Sequence, residues 1–185
     1  SLYQICRGIG LMEQVEVYPQ LAPTPKDPTA QSTHVKALGY FLRADCVGVC
    51  ELPQYAVYES DRKERPVELD HEYAIVILVD QGWRTFNGGL GSDWISGAQS
   101  FKSYATSGFI ATIMANYIRR LGYEAEPHFP THYKVVMPPL ILLSGLGEMS
   151  RFGNTVLNPF LGPRFKGSAV TTNLPLEPDK PVDFG

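Results

Sequence analysis

Residues 73–80, YAIVILVD, form an unbroken apolar run rich in β-branched side chains. A run of strand length without polar alternation predicts a strand covered on both faces. Residues 94–121 carry a different period. Ile110, Ile113, Met114, Tyr117 and Leu121 recur at helical spacing and make one apolar face. Tyr104, Gly108, Ala111 and Ala115 make a second stripe, small in every member after the tyrosine. A helix apolar on two sides is a central, buried one, and a small-residue stripe lets a neighbouring backbone or a flat ligand come close. Upstream, Val35, Leu38 and Leu42 share one face of a helix over 29–44 that Asp27–Pro28 would start. DCVGVCEL (45–52) reads as a strand directly after it.

The remaining segments are punctuation and short elements. PQLAPTPKDP (19–28) is a loop, ESDRKERPVELD (59–70) a charged surface loop and NGGLGSD (87–93) a flexible turn. GYEAEPHF turns out of the long helix, with Gly122 as its cap. THYKVVM (131–137) predicts a strand, and Pro138–Pro139 open a short helix. The last third alternates turns with short strands such as SAVTTN. A helix followed at once by a strand is an α/β unit, so the pattern alone admits α/β or α+β. The fold expected is α+β: a central sheet flanked by helices in three layers, with one long central helix. Residues 1–26 read as an extension or linker and 27–185 as one domain.

Composition narrows the function. With 185 residues, 44% hydrophobic and 19% charged, the chain is an ordinary globular domain with a real core. A net charge of −3 lacks the basic excess that nucleic-acid binding requires. No segment approaches transmembrane length, and the first residues do not read as a secretory signal. No membrane partner and a cytoplasmic location are therefore expected. The start and the EPDKPVDFG end, which lacks a closing helix, point to a piece of a longer chain.

Cys6, Cys46 and Cys50 are too few and too odd for a disulfide framework. Cys46 and Cys50 share a strand face, as a metal half-site or, more in keeping with thiol burial, as core residues. Of His34, His71, His128 and His132, the last two are close in HFPTH, but Pro130 prevents a shared helical face and further zinc-type ligands are lacking. No metal is expected. A hydrolase nucleophile elbow is absent.

The densest candidate chemistry is LLSGLGEMSRFGN (142–154). It fails as a dinucleotide fingerprint, because Ser150 stands at the third glycine position and the segment follows a helix rather than a strand. It is not a P-loop, since no G-K-[ST] follows. Either the glycines end a helix and make a tight turn, with Glu148 and Arg151 paired across it, or they let the main chain approach a ligand.

From DWISGAQSFKSYATSG through PPLILLSGLGEMSRFGNTVLNPFLGPRFKGSAVTTNLPLEPDKPVDFG, the chain resembles the corrinoid-binding catalytic domain of reductive dehalogenases, in particular the oxygen-tolerant catabolic type. The resemblance runs from about residue 27 onward and is most specific over 138–185. It implies a nitroreductase-like fold holding cobalamin, and replacement of halogen by hydrogen on a small organohalide. In that family DKPxDFG leads into a cysteine-rich segment that binds two 4Fe–4S clusters; this chain does not hold it, so electrons must arrive through another portion of the protein.

The family's proton-donating tyrosine matches Tyr104, and its basic partner matches Lys166, with Arg164 as the rival. A phenol is a weak acid at neutral pH, and a nearby ammonium favours the phenolate it leaves behind. Gly145, Leu146, Gly147, Glu148 and Arg151, with Leu157, Asn158 and Pro159 of VLNPFLG, are the implied cobalamin contacts. Trp94, Phe101 and Phe160 could line an aromatic-sized pocket.

Three other functions fit parts of this pattern. An epoxyqueuosine-reductase type would carry a carboxylate where Tyr104 stands. A non-catalytic cobalamin-binding or trafficking module remains open. A flavin nitroreductase would need an N-terminal arginine cluster, where only Arg7 is present.

Overall fold

The computed structural model describes residues 4, 8, 9, 15–61, 63–89 and 95–183. Cys6, Arg7 and Trp94 lie outside them. The described elements run α1 (Pro28–Phe41), β1 (Cys46–Glu51), a 3-10 turn (Gln54–Ala56), β2 (Tyr73–Asp80), α2 (Trp83–Gly88), α3 (Ile95–Arg120), β3 (Ala125–His128), α4 (Met137–Leu143), β4 (Glu148–Met149), β5 (Val156–Leu157) and β6 (Phe165–Thr172).

Four strands form one sheet in the order β1-β2-β6-β3, and every pairing in it is antiparallel. The architecture is α+β; α1 and β1 are consecutive but do not make a parallel crossover. The apolar run 73–80 is β2, flanked by β1 and β6. Its side chains alternate between two cores. Ile75, Ile77 and Val79 join Val35 of α1 and Ile110, Met114 and Ile118 of α3. Ala74, Val76 and Leu78 join Leu140 and Ile141 of α4, with Val156 and Leu161. A strand inside an antiparallel sheet therefore needs the same continuous apolar run as a parallel one once helices cover both faces.

The long helix matches its periodicity to within a residue at each end. Its small stripe is a packing face: a side chain at Gly108 would meet the Phe129 ring at 3.2 Å, and Ala111 and Ala115 are buried in the core. Asp27 caps α1, accepting from Thr29 N, and Pro28 opens it.

Three segments depart from expectation. EAEPHF contributes β3, an edge strand, where Pro127 costs no ladder bond on the open side. Residues 131–137 are not a strand. Tyr58 N, Val136 N and the Val57–Val135 bridge tie them to the end of the 3-10 turn and the residues after it without a ladder, and Pro138 and Pro139 turn the chain into α4. SAVTTN is longer than its pattern implied, because β6 pairs with β2 over Phe165–Thr172 and with β3 over Ala169–Thr172.

Candidate functional site

The register of β6 sets the first side chain. Lys166 lies opposite Val79 and shares a strand face with Ser168 and Val170, the face covered by α3. Tyr104 lies early on α3, above the start of that strand. The two meet: the Lys166 ammonium is 5.1 Å from the centroid of the Tyr104 ring, across sixty-two positions of sequence. This is cation–π distance. Half-burial lowers the Lys166 pKa below its ordinary value, since a desolvated ammonium is penalised. Among the described residues no carboxylate forms an ion pair with it.

Arg164 is held elsewhere. Its Nε donates to Asp80 Oδ1 at 2.9 Å and its Nη2 to Asp80 Oδ2 at 3.3 Å, and its guanidinium stands 5.8 Å from the Trp83 ring centroid. Asp80 Oδ1 also accepts from Gly82 N. The structure thus places Lys166, not Arg164, over Tyr104.

The glycine segment resolves into a helix end and a hairpin. Gly145, at φ +68°, ends α4: Leu146 N bonds Ile141 O and Gly145 N bonds Leu142 O, a Schellman arrangement. A side chain at Gly145 would run into the Lys180 carbonyl oxygen, and one at Gly147 would lie 2.5 Å from that of Leu157. The close approach these glycines permit is to the chain's own backbone.

Leu146 packs against the α4-side core. Asn158, 4% exposed, ties the hairpin together: Nδ2 donates to Leu146 O at 2.7 Å, and Oδ1 accepts from Phe160 N and Leu161 N. Glu148 opens β4, and Arg151 and Pro159 are exposed at turns. Around them Met149, Phe152, Leu157 and Phe160 leave apolar side chains exposed, and the Ser150 hydroxyl is buried without a hydrogen-bond partner among the described residues. Asn158 also reaches Cys46, which sits one register row from Lys166. The hairpin and the Tyr104–Lys166 pair therefore occupy the same end of the sheet, on opposite faces.

The thiols and imidazoles are used by the fold. Cys50 is buried in the α4-side core, donates to Leu140 O, and burial pushes its pKa up to about 12. Burial also raises the Cys46 pKa. His34 bonds Tyr117 Oη at 2.7 Å, and His132 stacks on Phe129. His71 and His128 both bond Thr171 Oγ1 at 2.8 Å. Sequence reasoning missed Asp80 as the anchor of Arg164. It also missed Ser103 and Ser107, whose positions one residue before and one turn after Tyr104 were the available signal.

No protein-family model matches the chain. It is 38% identical over 138 residues to a tetrachloroethene reductive dehalogenase of Desulfitobacterium hafniense, an alignment covering 75% of this chain and 24% of the relative. Against the enzyme of the same name from Dehalobacter restrictus it is 40% identical over 139 residues, 75% of this chain and 24% of the relative. A solved catabolic reductive dehalogenase, in complex with 3-bromo-4-hydroxybenzoic acid, superposes with a TM-score of 0.92 at 40% identity over 100% of this chain and 27% of its own.

The chain is homologous to the catalytic domain of reductive dehalogenases. It spans about a quarter of the length of these relatives. Epoxyqueuosine reductase from Streptococcus thermophilus shares the fold alone, with a TM-score of 0.55 at 17% identity over 83% of this chain and 48% of its own. Both groups of structures support the nitroreductase-like α+β class. No helix among the described residues is long and apolar enough to cross a membrane.

Proposed function

We propose that this chain is part of a cobalamin-dependent reductive dehalogenase in which Tyr104 donates the proton that replaces halogen. The observation that carries this reading is the Lys166 ammonium 5.1 Å from the Tyr104 ring, at the start of β6. The overall change takes an organohalide, two electrons and one proton to R–H and halide. Tyr104 supplies the proton from its hydroxyl, and Lys166 stabilises the phenolate left behind. Because the ammonium stands in a half-buried position, less screened than in water, its field on the ring is strengthened. Arg164 and Asp80 hold the start of β6, which carries Lys166.

Cobalamin supplies the electron chemistry at the carbon–halogen bond when bound. The residues present fit such a group at the hairpin, from which it would have to reach past the end of the sheet to meet Tyr104 on the other face. The orphaned Ser150 hydroxyl awaits a polar partner, and Met149, Leu157 and Phe160 present exposed apolar surface to a broad ligand. Glu148, Arg151 and Pro159 flank that surface, whereas Gly145, Leu146, Gly147 and Asn158 shape the hairpin from behind. The two electrons come from the remainder of the longer protein, where two 4Fe–4S clusters are the expected source. The compound bound by the catabolic relative makes a small halogenated aromatic a fitting substrate class.

The experiment is Tyr104→Phe in the full-length protein, assayed with tetrachloroethene and with 3-bromo-4-hydroxybenzoic acid. Loss of a positioned proton donor removes about 10²–10⁴-fold of rate, while cobalamin absorbance after desalting stays. Wild-type turnover in that variant removes Tyr104 from the mechanism. Retained cobalamin with no dehalogenation by the wild-type protein favours a binding module, and retained FMN overturns the corrinoid reading.

A further inference from the structure

Tyr104 and Lys166 belong to different elements, so their approach depends on how α3 is set down on the sheet. Over most of its length that contact is apolar: Ile110, Met114 and Ile118 pack on Ile75, Ile77 and Val170. Apolar packing tolerates small shifts of register and rotation. At the Tyr104 end the contact is polar instead. Ser168 follows Lys166 by two residues on the same strand face, and Ser107 follows Tyr104 by one helical turn; both are fully buried. Ser168 Oγ donates to Ser107 Oγ at 2.8 Å, and Ser107 Oγ donates to the main-chain carbonyl of Tyr104 at 3.2 Å. Ser103, 2% exposed, donates to the Asp80 carbonyl at 3.3 Å, and Ser100 Oγ accepts from Gln81 Nε2 at 3.0 Å. Serines 100, 103 and 107 therefore bracket Tyr104 along the helix face turned to the sheet. Buried hydroxyls are costly to leave unbonded, and their bonds hold only over a narrow range of distance and angle.

We propose that Ser107 and Ser168, supported by Ser103, are positioning residues whose buried hydrogen bonds set the height and rotation of α3 that bring the Tyr104 ring beside Lys166. This rests on the reading of Tyr104 as proton donor and adds the device that aligns it. The chain of bonds starts on the strand carrying the cation and ends on the backbone of the tyrosine itself. The neighbouring charges, Arg164 and Asp80, are paired with each other and make no bond to these serine hydroxyls.

The test uses the full-length, cobalamin-loaded protein and whichever of tetrachloroethene and 3-bromo-4-hydroxybenzoic acid it reduces. Ser107→Ala alone strands the buried Ser168 hydroxyl and lowers the melting temperature, whereas Ser168→Ala leaves Ser107 bonded to the Tyr104 carbonyl and lowers it less. The double variant removes both hydroxyls, so its melting temperature recovers toward wild type. Its cobalamin absorbance and KM are expected to stay, while kcat falls about 10- to 100-fold because the donor is misplaced. The alkaline limb of its kcat profile moves to higher pH, since the phenol has lost the adjacent cation. Ser103→Ala moves both in the same direction by less, and decides the matter if the double variant does not fold. A kcat that recovers in step with melting temperature, or a limb that stays in place, overturns the proposal. Loss of turnover in Tyr104→Phe beside wild-type behaviour of the serine variants removes the positioning role alone; wild-type turnover in Tyr104→Phe removes the reading beneath it.

Discussion

Strand β6 buries ionisable chemistry at both of its ends, and the two ends are built to opposite purposes. Near its C-terminal end, Thr171 Oγ1 takes hydrogen bonds with two imidazoles, His71 and His128. His128 is fully buried and its Nδ1 accepts from Lys134 N, so it is neutral, and burial lowers its pKa to about 3. Both imidazoles there have a hydrogen-bond partner within the fold. At the N-terminal end Lys166 is half-buried without a carboxylate partner among the described residues, and it faces an aromatic ring. A buried polar group whose needs are met internally specifies structure; a desolvated cation left over a phenol costs stability and is available for chemistry.

Variants at each end can break or sharpen that contrast. Lys166→Met gives the largest effect expected. Turnover falls roughly 10²-fold, as for loss of one electrostatic stabiliser. The melting temperature holds or rises, because the desolvated ammonium is gone; a fall in stability with full activity would reverse the assignment of this end. Thr171→Val comes next, with opposite signs. It removes the oxygen both imidazoles use and lowers stability by roughly 1–3 kcal/mol, measured by urea denaturation, while turnover per folded molecule is unchanged.

The same end predicts a pH dependence. Between its ordinary value of 6.5 and about 3, His128 is neutral in the folded chain and protonated in the unfolded one. The unfolded state then binds more protons, so this contribution is complete above pH 6.5 and is lost as pH falls toward 3. His71, also lowered by burial, acts in the same direction. Urea midpoints at pH 7.5 and 4.5 should differ accordingly, and His128→Gln should flatten the difference. The smallest effect is that of Arg164→Gln: the Asp80 pair is partly exposed and worth about 1 kcal/mol or less, and kcat should change far less than with Lys166→Met.

How much of this was legible depended on whether the signal was local. The β2 run and the α3 periodicity marked their elements to within a residue, because strand and helix impose periods of two and 3.6 on whatever must be buried. Residues 131–137 carried a strand-like composition and no strand formed, since a strand exists only where another chain segment offers its ladder. Pro127 hid β3 for the converse reason: an edge strand tolerates a residue that a central one does not. Lys166 and its rival Arg164 lay two residues apart in one dimension, Arg164 just ahead of the strand that carries Lys166; Asp80 took the arginine and left the lysine over Tyr104.

The amino-acid sequence alone determined the long buried helix and the central apolar strand, and, through family resemblance, put forward a tyrosine and a lysine as partners. Only the tertiary structure decided what the glycines at 145 and 147 make room for, which cation stands over the ring, and which hydroxyls hold the helix in place. Those are distances between residues remote in the chain. Backbone conformation is governed by near neighbours, while an unfilled volume, an ion pair or a buried hydrogen bond is governed by whatever folding brings to the other side.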